Sequence, residues 1–370
     1  MLHLQHGGIE KQTITLANQL CEKYEVEIIT TYSMNNPPAY QIDGRVKVRY
    51  LMDTHPNRQE IAEAIRSKNP FKIAKQGFVA LKILYLKKKL MEKAIKNLKC
   101  DFVLSTRVEY AEMLSKHAPK GVVTITQEHL HDDSPKYVAR CKKAFRNLDY
   151  LAVICQGSYD NFAQWLKDNS RIKIVTIPNI LEGIPEENAA LQGNCIVSAG
   201  RLHPVKNFGS LIRVFSLVKE QIPDATLTLV GGGEEMDSLK SLANDLGVAD
   251  KVTFTGMVSK EEVQEYMLKS DVFAMTSLTE CFPMVMLEAS SVGLPIISYD
   301  VPVGPKAIIT QGENGYLIPF EKTEEMASKI VDILIDKELK MALAKNSKEN
   351  AVNFLPEKIV PLWEAIFDKE

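Results

Sequence analysis

Along the chain, short runs of β-branched and apolar residues alternate with longer stretches whose hydrophobic positions recur at helical spacing. In the first half, 25–31 (EVEIITT), 45–52 (RVKVRYLM), 101–105 (DFVLS), 121–127 (GVVTITQ), 150–155 (YLAVIC) and 172–177 (IKIVTI) read as strands. The second half repeats the alternation at 195–200 (CIVSAG), 226–231 (TLTLVG), 252–256 (VTFTG), 272–277 (VFAMTS) and 295–300 (PIISYD). Helices fit between most neighbouring strands, an order that yields parallel sheets covered on both faces. Two doubly wound α/β domains are therefore expected. Residues 178–188 (PNILEGIPEEN), rich in turn formers and acids, read as the linker between them, with a cleft beside it. The stretch 354–367 (FLPEKIVPLWEAIF) reads as a closing apolar helix anchored by Trp363.

Length agrees with two domains, because a single core stops growing near ~250–300 residues and this chain has 370. With 45% hydrophobic and 25% charged residues, it is neither a disordered nor a membrane-spanning composition. No apolar run approaches the ~18 residues of a spanning helix, and the first residues lack the layout of a secretory signal, so a cytoplasmic location is expected. The six cysteines are scattered without a CxxC pair and read as reduced. Charge is uneven: residues 1–180 hold 28 Lys and Arg against 18 Asp and Glu, and the remainder holds 17 against 29. Opposite halves suggest different partners.

The basic excess concentrates in 66–99, with ten lysines and one arginine against the single acid Glu92, interleaved with Phe71, Phe78, Leu81, Tyr85 and other apolar residues. A basic amphipathic helix of this kind suits an anionic membrane surface; the alternative is a solvated helix with an ordinary core face. Nucleic acid is not an expected partner, since stacking aromatics and a recognisable binding module are both missing.

Three loops follow strands, where open α/β sheets bind ligands. His6-Gly7-Gly8-Ile9-Glu10 precedes a helical run, and its glycines let backbone N–H groups approach an anion; a tight turn is the alternative. Gly200-Arg201-Leu202-His203-Pro204-Val205-Lys206 places two cations on one loop, able to neutralise a diphosphate. In 279–290 (TECFPMVMLEAS), Glu280 sits at the strand rim, Pro283 fits a first helical turn, and Glu288 follows eight residues after Glu280.

Glu-x7-Glu after a strand, Gly-Arg-Leu-x3-Lys-Asn, Gly-Gly-x-Glu and Leu-Val-Gly-x-Gly at 229–233 together resemble retaining glycosyltransferases of family 4, with the GT-B fold of two Rossmann-like domains facing a central cleft. The resemblance implies an N-terminal acceptor domain over 1–178, a C-terminal donor domain over 179–353, and a last helix, 354–370, packing back on the first domain. It implies that Arg201 and Lys206 bind the donor diphosphate, that Glu288 holds the nucleotide ribose, and that Glu280 serves the donor sugar. Cys281, Phe282, Pro283 and Met284 would offer backbone amides to sugar and phosphate. Gly8 would lie near the diphosphate and His129 against the donor sugar. Gly231 and Gly233 would flank the nucleotide, with Met257 and Val258 near the base.

Glycosyl transfer develops negative charge on the departing diphosphate, and Arg201, Lys206 and a helix N-terminus suit that charge. No Asp-x-Asp occurs, so transfer is expected to proceed without a metal or other cofactor, and the resemblance implies that it proceeds with retention. The donor is expected to be a UDP-sugar and the acceptor lipid-linked or polysaccharide, at the inner membrane face. A non-catalytic partner of another transferase, a nucleotide-sugar epimerase and a glycan phosphorylase are alternatives on the same architecture.

Overall fold

The computed structural model describes residues 1–130 and 132–368. The chain forms two compact units: 1–153, 161–176 and the residues from Trp363 onward make the first, and 154–160 with 177–362 the second. The partition differs from that expected in two places. Residues 154–160 belong with the second unit, and of the closing helix only the part from Trp363 groups with the first. The expected linker is also not free chain: Leu181 N donates to Phe354 O at 2.8 Å, Ala189 N to Val292 O at 2.8 Å, and Ile180 and Leu181 are buried, so it straps onto the second unit.

The first unit runs α1 (Gly8–Leu20), β1 (Glu27–Tyr32), β2 (Lys47–Met52), α2 (Arg58–Arg66), α3 (Pro70–Lys96), β3 (Phe102–Ser105), α4 (Val108–His117), β4 (Val123–Glu128), α5 (Pro135–Ala144), β5 (Tyr150–Val153), the part of α6 (Gln156–Trp165) from Asn161 onward, and β6 (Lys173–Thr176). Strands β1 and β2 pair in parallel, as do β3-β4-β5-β6 in that order. Residues before the first glycine pair lie along β1, with Thr31 N donating to Met1 O at 3.1 Å and Tyr32 N to Leu2 O at 3.0 Å. Central β5 is buried along its whole length, as a strand covered on both faces must be. Helix α3 starts where Asn69 Oδ1 accepts from Phe71 N and Lys72 N ahead of Pro70, a strong N-terminal signal.

The second unit runs β7 (Cys195–Ala199), α7 (Phe208–Gln221), β8 (Thr226–Val230), α8 (Met236–Asp245), β9 (Val252–Phe254), α9 (Lys260–Leu268), β10 (Val272–Met275), α10 (Met284–Ser291), β11 (Ile296–Asp300), β12 (Gly315–Pro319), α11 (Thr323–Ile335), α12 (Lys337–Ala351) and the start of α13 (Pro356–Phe367), whose residues from Trp363 group with the first unit. Its six strands are parallel in the order β12-β11-β10-β7-β8-β9. This is the Rossmann order, and its direction reverses between β7 and β10, where such sheets open a crevice at their carboxyl ends. Sequence patterning missed β12, which is only GYLIP between turn formers. Gly315 lets it lie against β11: a Cβ there would stand 2.0 Å from Ile296 O. At the opposite end, buried Asp271 accepts from Lys340 Nζ at 3.1 Å and from Gly193 N and Cys195 N at 2.9 Å each, tying α12 to β7 and β10.

Candidate active site

The site of the second unit grows from the loops after β7 and β10. Gly200 N donates to Val230 O and Leu202 N to Gly232 O, both at 2.9 Å, so the chain leaving β7 stays joined to the chain leaving β8. A 3-10 turn over Pro204–Lys206 follows, with His203 Nδ1 accepting from Val205 N at 3.2 Å. Asn207, in the left-handed region at φ 51°, ends it, and its carbonyl accepts from Thr276 Oγ1 at 2.9 Å. That clasp aims Lys206 across the switch point.

Lys206 Nζ donates to Glu280 Oε1 at 2.5 Å, and buried Ser277 Oγ donates to the same oxygen at 2.7 Å. The backbone of Glu280 is held too, its carbonyl accepting from Gly304 N at 3.0 Å. Two donors on Oε1 fix the carboxylate and leave Oε2 to accept from a ligand. Arg201 is exposed on the same loop as Lys206, with no protein partner among the described residues.

Gly231 and Gly233 owe their identity to this loop. A Cβ on Gly231 would lie 2.1 Å from Gly200 O, and one on Gly233 would lie 2.2 Å from Leu202 O. Met257 is 83% exposed and covers Gly232, while Val258 packs against the core. Helix α10 has no side-chain cap; Pro283 is its N-cap, one position earlier than the first-turn place expected for it. Phe282 is buried edge-on against Phe354 at 5.6 Å. Cys281 turns its thiol toward Ser158, 3.9 Å away, and its carbonyl accepts from Cys155 Sγ at 3.8 Å. Met284 begins α10, and Glu288 stands half-buried more than a turn along it.

The remaining expected residues belong to the first unit. Gly8 opens α1 behind Gly7, which is its N-cap. His129 follows β4 and is nine-tenths buried. Its neighbour Glu128 accepts from His129 N and Leu130 N at 3.1 Å each. Burial pushes the Glu128 carboxyl up to about 7, and burial with the nearby Arg107 charge takes the His129 imidazole down to about 4.

Sequence reasoning did not single out Ser277 or Gly304, and it took Asn207 only as the end of the Gly-Arg-Leu-x3-Lys-Asn loop. The Ser277-x-x-Glu280 spacing was the available signal for the serine; the role of Gly304 and the clasp at Asn207 emerge only from tertiary pairing. Among the described residues, no group of three or more His, Cys, Asp or Glu is placed to hold a metal ion, and no helix is long and apolar enough to cross a membrane.

Residues 182–350 match the family described as Glycosyl transferases group 1. Over 98% of its length the chain is 27% identical to an exopolysaccharide phosphotransferase of Streptomyces coelicolor, of which it spans only 39%. It is 26% identical to the amylovoran biosynthesis glycosyltransferase AmsD of Erwinia amylovora, over 98% of this chain and 96% of that one. Among solved structures, sucrose-phosphate synthase from Thermosynechococcus elongatus superposes with a TM-score of 0.76 at 16% identity, covering 100% of this chain and 96% of the other. The fold is GT-B.

Proposed function

Because residues 182–350 belong to the glycosyl transferases group 1 family, we propose that the protein is a glycosyltransferase of cell-surface glycan synthesis, moving a sugar from a nucleotide donor to a glycan acceptor with retention. The observation that carries this reading is the meeting of Lys206 and Glu280 at the switch point of the second sheet, beside exposed Arg201 and the uncapped start of α10. Cations there suit a diphosphate, and a fixed carboxylate suits sugar hydroxyls.

In the proposed reaction an acceptor hydroxyl attacks the anomeric carbon from the face that the diphosphate leaves. The C–O bond to the diphosphate breaks, and the hydroxyl proton passes to the departing phosphate oxygen. Arg201, Lys206 and the amides of α10 stabilise the growing negative charge. Glu280 Oε2 orients the sugar, and Glu288 the ribose. The two cations supply the charge compensation that a divalent metal supplies elsewhere, so activity should persist in a chelator. A UDP-sugar is the proposed donor, and a lipid-linked or polysaccharide acceptor at the cytoplasmic membrane face the proposed acceptor.

Helix α3 supports the membrane placement. Phe71, Phe78, Leu81 and Tyr85 lie on one stripe and are 86%, 71%, 68% and 63% exposed. Exposed Lys75, Lys82 and Lys89 each follow a stripe aromatic by four residues. Apolar residues bordered by lysines complement an anionic bilayer.

A thermal-shift series with UDP, GDP, ADP and CMP tests the donor site. A ligand at 100 times its dissociation constant adds about 2.7 kcal/mol, a shift of a few degrees. UDP should stabilise the wild type and fail on the Arg201→Ala, Lys206→Ala double variant. Stabilisation by GDP instead would remove the uridine assignment alone. No response to any nucleotide would remove the transferase reading. The anomeric configuration of the product, read by NMR, decides retention.

A further inference from the structure

Lys206 rides on a turn whose shape depends on His203. That histidine is the N-cap of the 3-10 turn Pro204–Lys206, and its Nδ1 accepts from Val205 N at 3.2 Å. Pro204 has no N–H, so Val205 N is the first backbone donor of the turn, and the ring satisfies it. The His203 carbonyl accepts from Lys206 N at 2.8 Å, and the Val205 carbonyl accepts from Leu278 N at 2.8 Å. Lys206 thus reaches Glu280 from a turn pinned by His203 on one side and by the loop after β10 on the other. Its stem lies along Gly200, where a Cβ would stand 3.7 Å from Lys206 Cε.

Nδ1 can accept only while it carries no proton. The neutral ring therefore keeps its proton on Nε2, the nitrogen that lies 3.8 Å from Glu234 Oε1 on the loop after β8. Adding a proton turns Nδ1 into a donor facing the Val205 N–H, so the cap is lost. An imidazole makes this change between about pH 5 and 8, unlike a capping Ser or Asn. His203 and Glu234 are 46% and 69% exposed, so bulk protons reach the ring and the ion pair holds it only weakly. The other charges around the ring are Arg201 and Lys206 on its own loop, Glu235 beside Glu234, and Glu280, which already pairs with Lys206.

We propose that His203 is a positioning residue that acts through Lys206 and makes diphosphate binding sensitive to acid. Neutral, it caps the turn and aims the ammonium at a bound diphosphate; protonated, it releases the turn and weakens that binding. The identity of the ligand as a nucleotide rests on the transferase reading, whereas the coupling of ring to turn does not.

Two measurements on the full chain test this. Long-range nitrogen–proton NMR, with the His203 signals assigned by their loss in His203→Asn, should show the neutral ring protonated on Nε2 at about pH 8. Calorimetry across about pH 5 to 8 then follows UDP and inorganic pyrophosphate on the wild type, His203→Asn, His203→Ala and Glu234→Gln. Asparagine keeps an oxygen that caps Val205 N and does not titrate, whereas alanine offers none. At the alkaline end His203→Ala should bind about three- to tenfold more weakly than the wild type, and His203→Asn should recover most of that loss. On acidification the wild type should lose about fivefold or more relative to His203→Asn, a comparison that cancels the titration of the ligand's own phosphates. Glu234→Gln should move the loss to lower pH, because removing the carboxylate disfavours the charged ring. Should His203→Ala fail to fold, the His203→Asn comparison carries the test. A neutral ring protonated on Nδ1, wild-type affinity in folded His203→Ala, equal acid loss in the wild type and His203→Asn, or a gain of affinity in acid that requires His203 would each overturn the proposal. No binding of either anion would overturn it together with the transferase reading. Pyrophosphate binding with the expected pattern, but no nucleotide binding, would overturn the transferase reading alone.

Discussion

Lys206 Nζ and Glu280 Oε1 stand 2.5 Å apart and join the loop after β7 to the loop after β10. Because Ser277 shares that oxygen, the carboxylate is oriented before any ligand arrives. Lys206→Met removes a charge-assisted hydrogen bond worth about 1.5–3 kcal/mol, so kcat/KM should fall roughly ten- to hundredfold. The pair is partly exposed, and Tm should move by no more than a few degrees. Steady-state kinetics beside a melting curve separates the two effects. A large Tm loss with unchanged kcat/KM would make the pair a strut.

Gly231→Ala should disturb nucleotide binding and stability together. Its new Cβ would press on Gly200 O, a backbone atom of the loop carrying Arg201 and Lys206. A forced backbone shift of this kind costs about 1–3 kcal/mol. Around Gly8, by contrast, a Cβ meets open space, so Gly8→Ala should leave the fold intact. Paired melting curves with and without UDP give both comparisons.

The stability of the first unit should show two opposing pH dependences. Between about pH 4.5 and 7 the unfolded chain has lost the Glu128 proton while the folded chain keeps it, so this group's contribution declines as pH rises. Between about 4 and 6.5 the unfolded His129 is protonated and the folded one is not, so its contribution improves as pH rises. The slopes oppose each other in the wild type. Glu128→Gln should unmask the histidine, its Tm rising by a few degrees relative to wild type from pH 4.5 to 6.5. Parallel Tm curves would refute the shared window.

Flotation with vesicles of mixed anionic and neutral lipid should carry the wild type, and salt should weaken the binding. Phe71→Ser with Phe78→Ser should abolish it, as should Lys75→Glu with Lys82→Glu, since each basic residue near the surface adds about 1 kcal/mol. Unchanged flotation of either pair would return α3 to the role of a solvated helix.

The parallel strands and the strand-end positions of Lys206 and Glu280 were legible because each depends on local pattern: apolar runs such as VFAM, followed by turn-forming residues. Strand β12 was not, since Gly315 and Pro319 break the pattern for a reason that only β11 reveals. The linker misreading has a similar cause. Turn formers at 178–188 specify an irregular chain, but not the carbonyls of Phe354 and other distant residues that hold the strap down. Glu280 could be chosen from sequence, whereas the hydroxyl of Ser277 and the clasp at Asn207 depend on contacts across the sheet.

The order β12-β11-β10-β7-β8-β9 also dictates a history. As the chain emerges from the ribosome, β7, β8 and β9 meet early through local crossovers, leaving one side of β7 as a bare edge. That edge waits for β10, which begins at Val272, far beyond Cys195, and an unpaired apolar edge is the surface most prone to wrong association. The Lys206 and Glu280 side chains lie on opposite sides of this seam. A chain that has not closed this seam would leave Lys206 and Glu280 apart and an apolar strand edge open, so alignment of the pair and protection of the edge depend on the same joint.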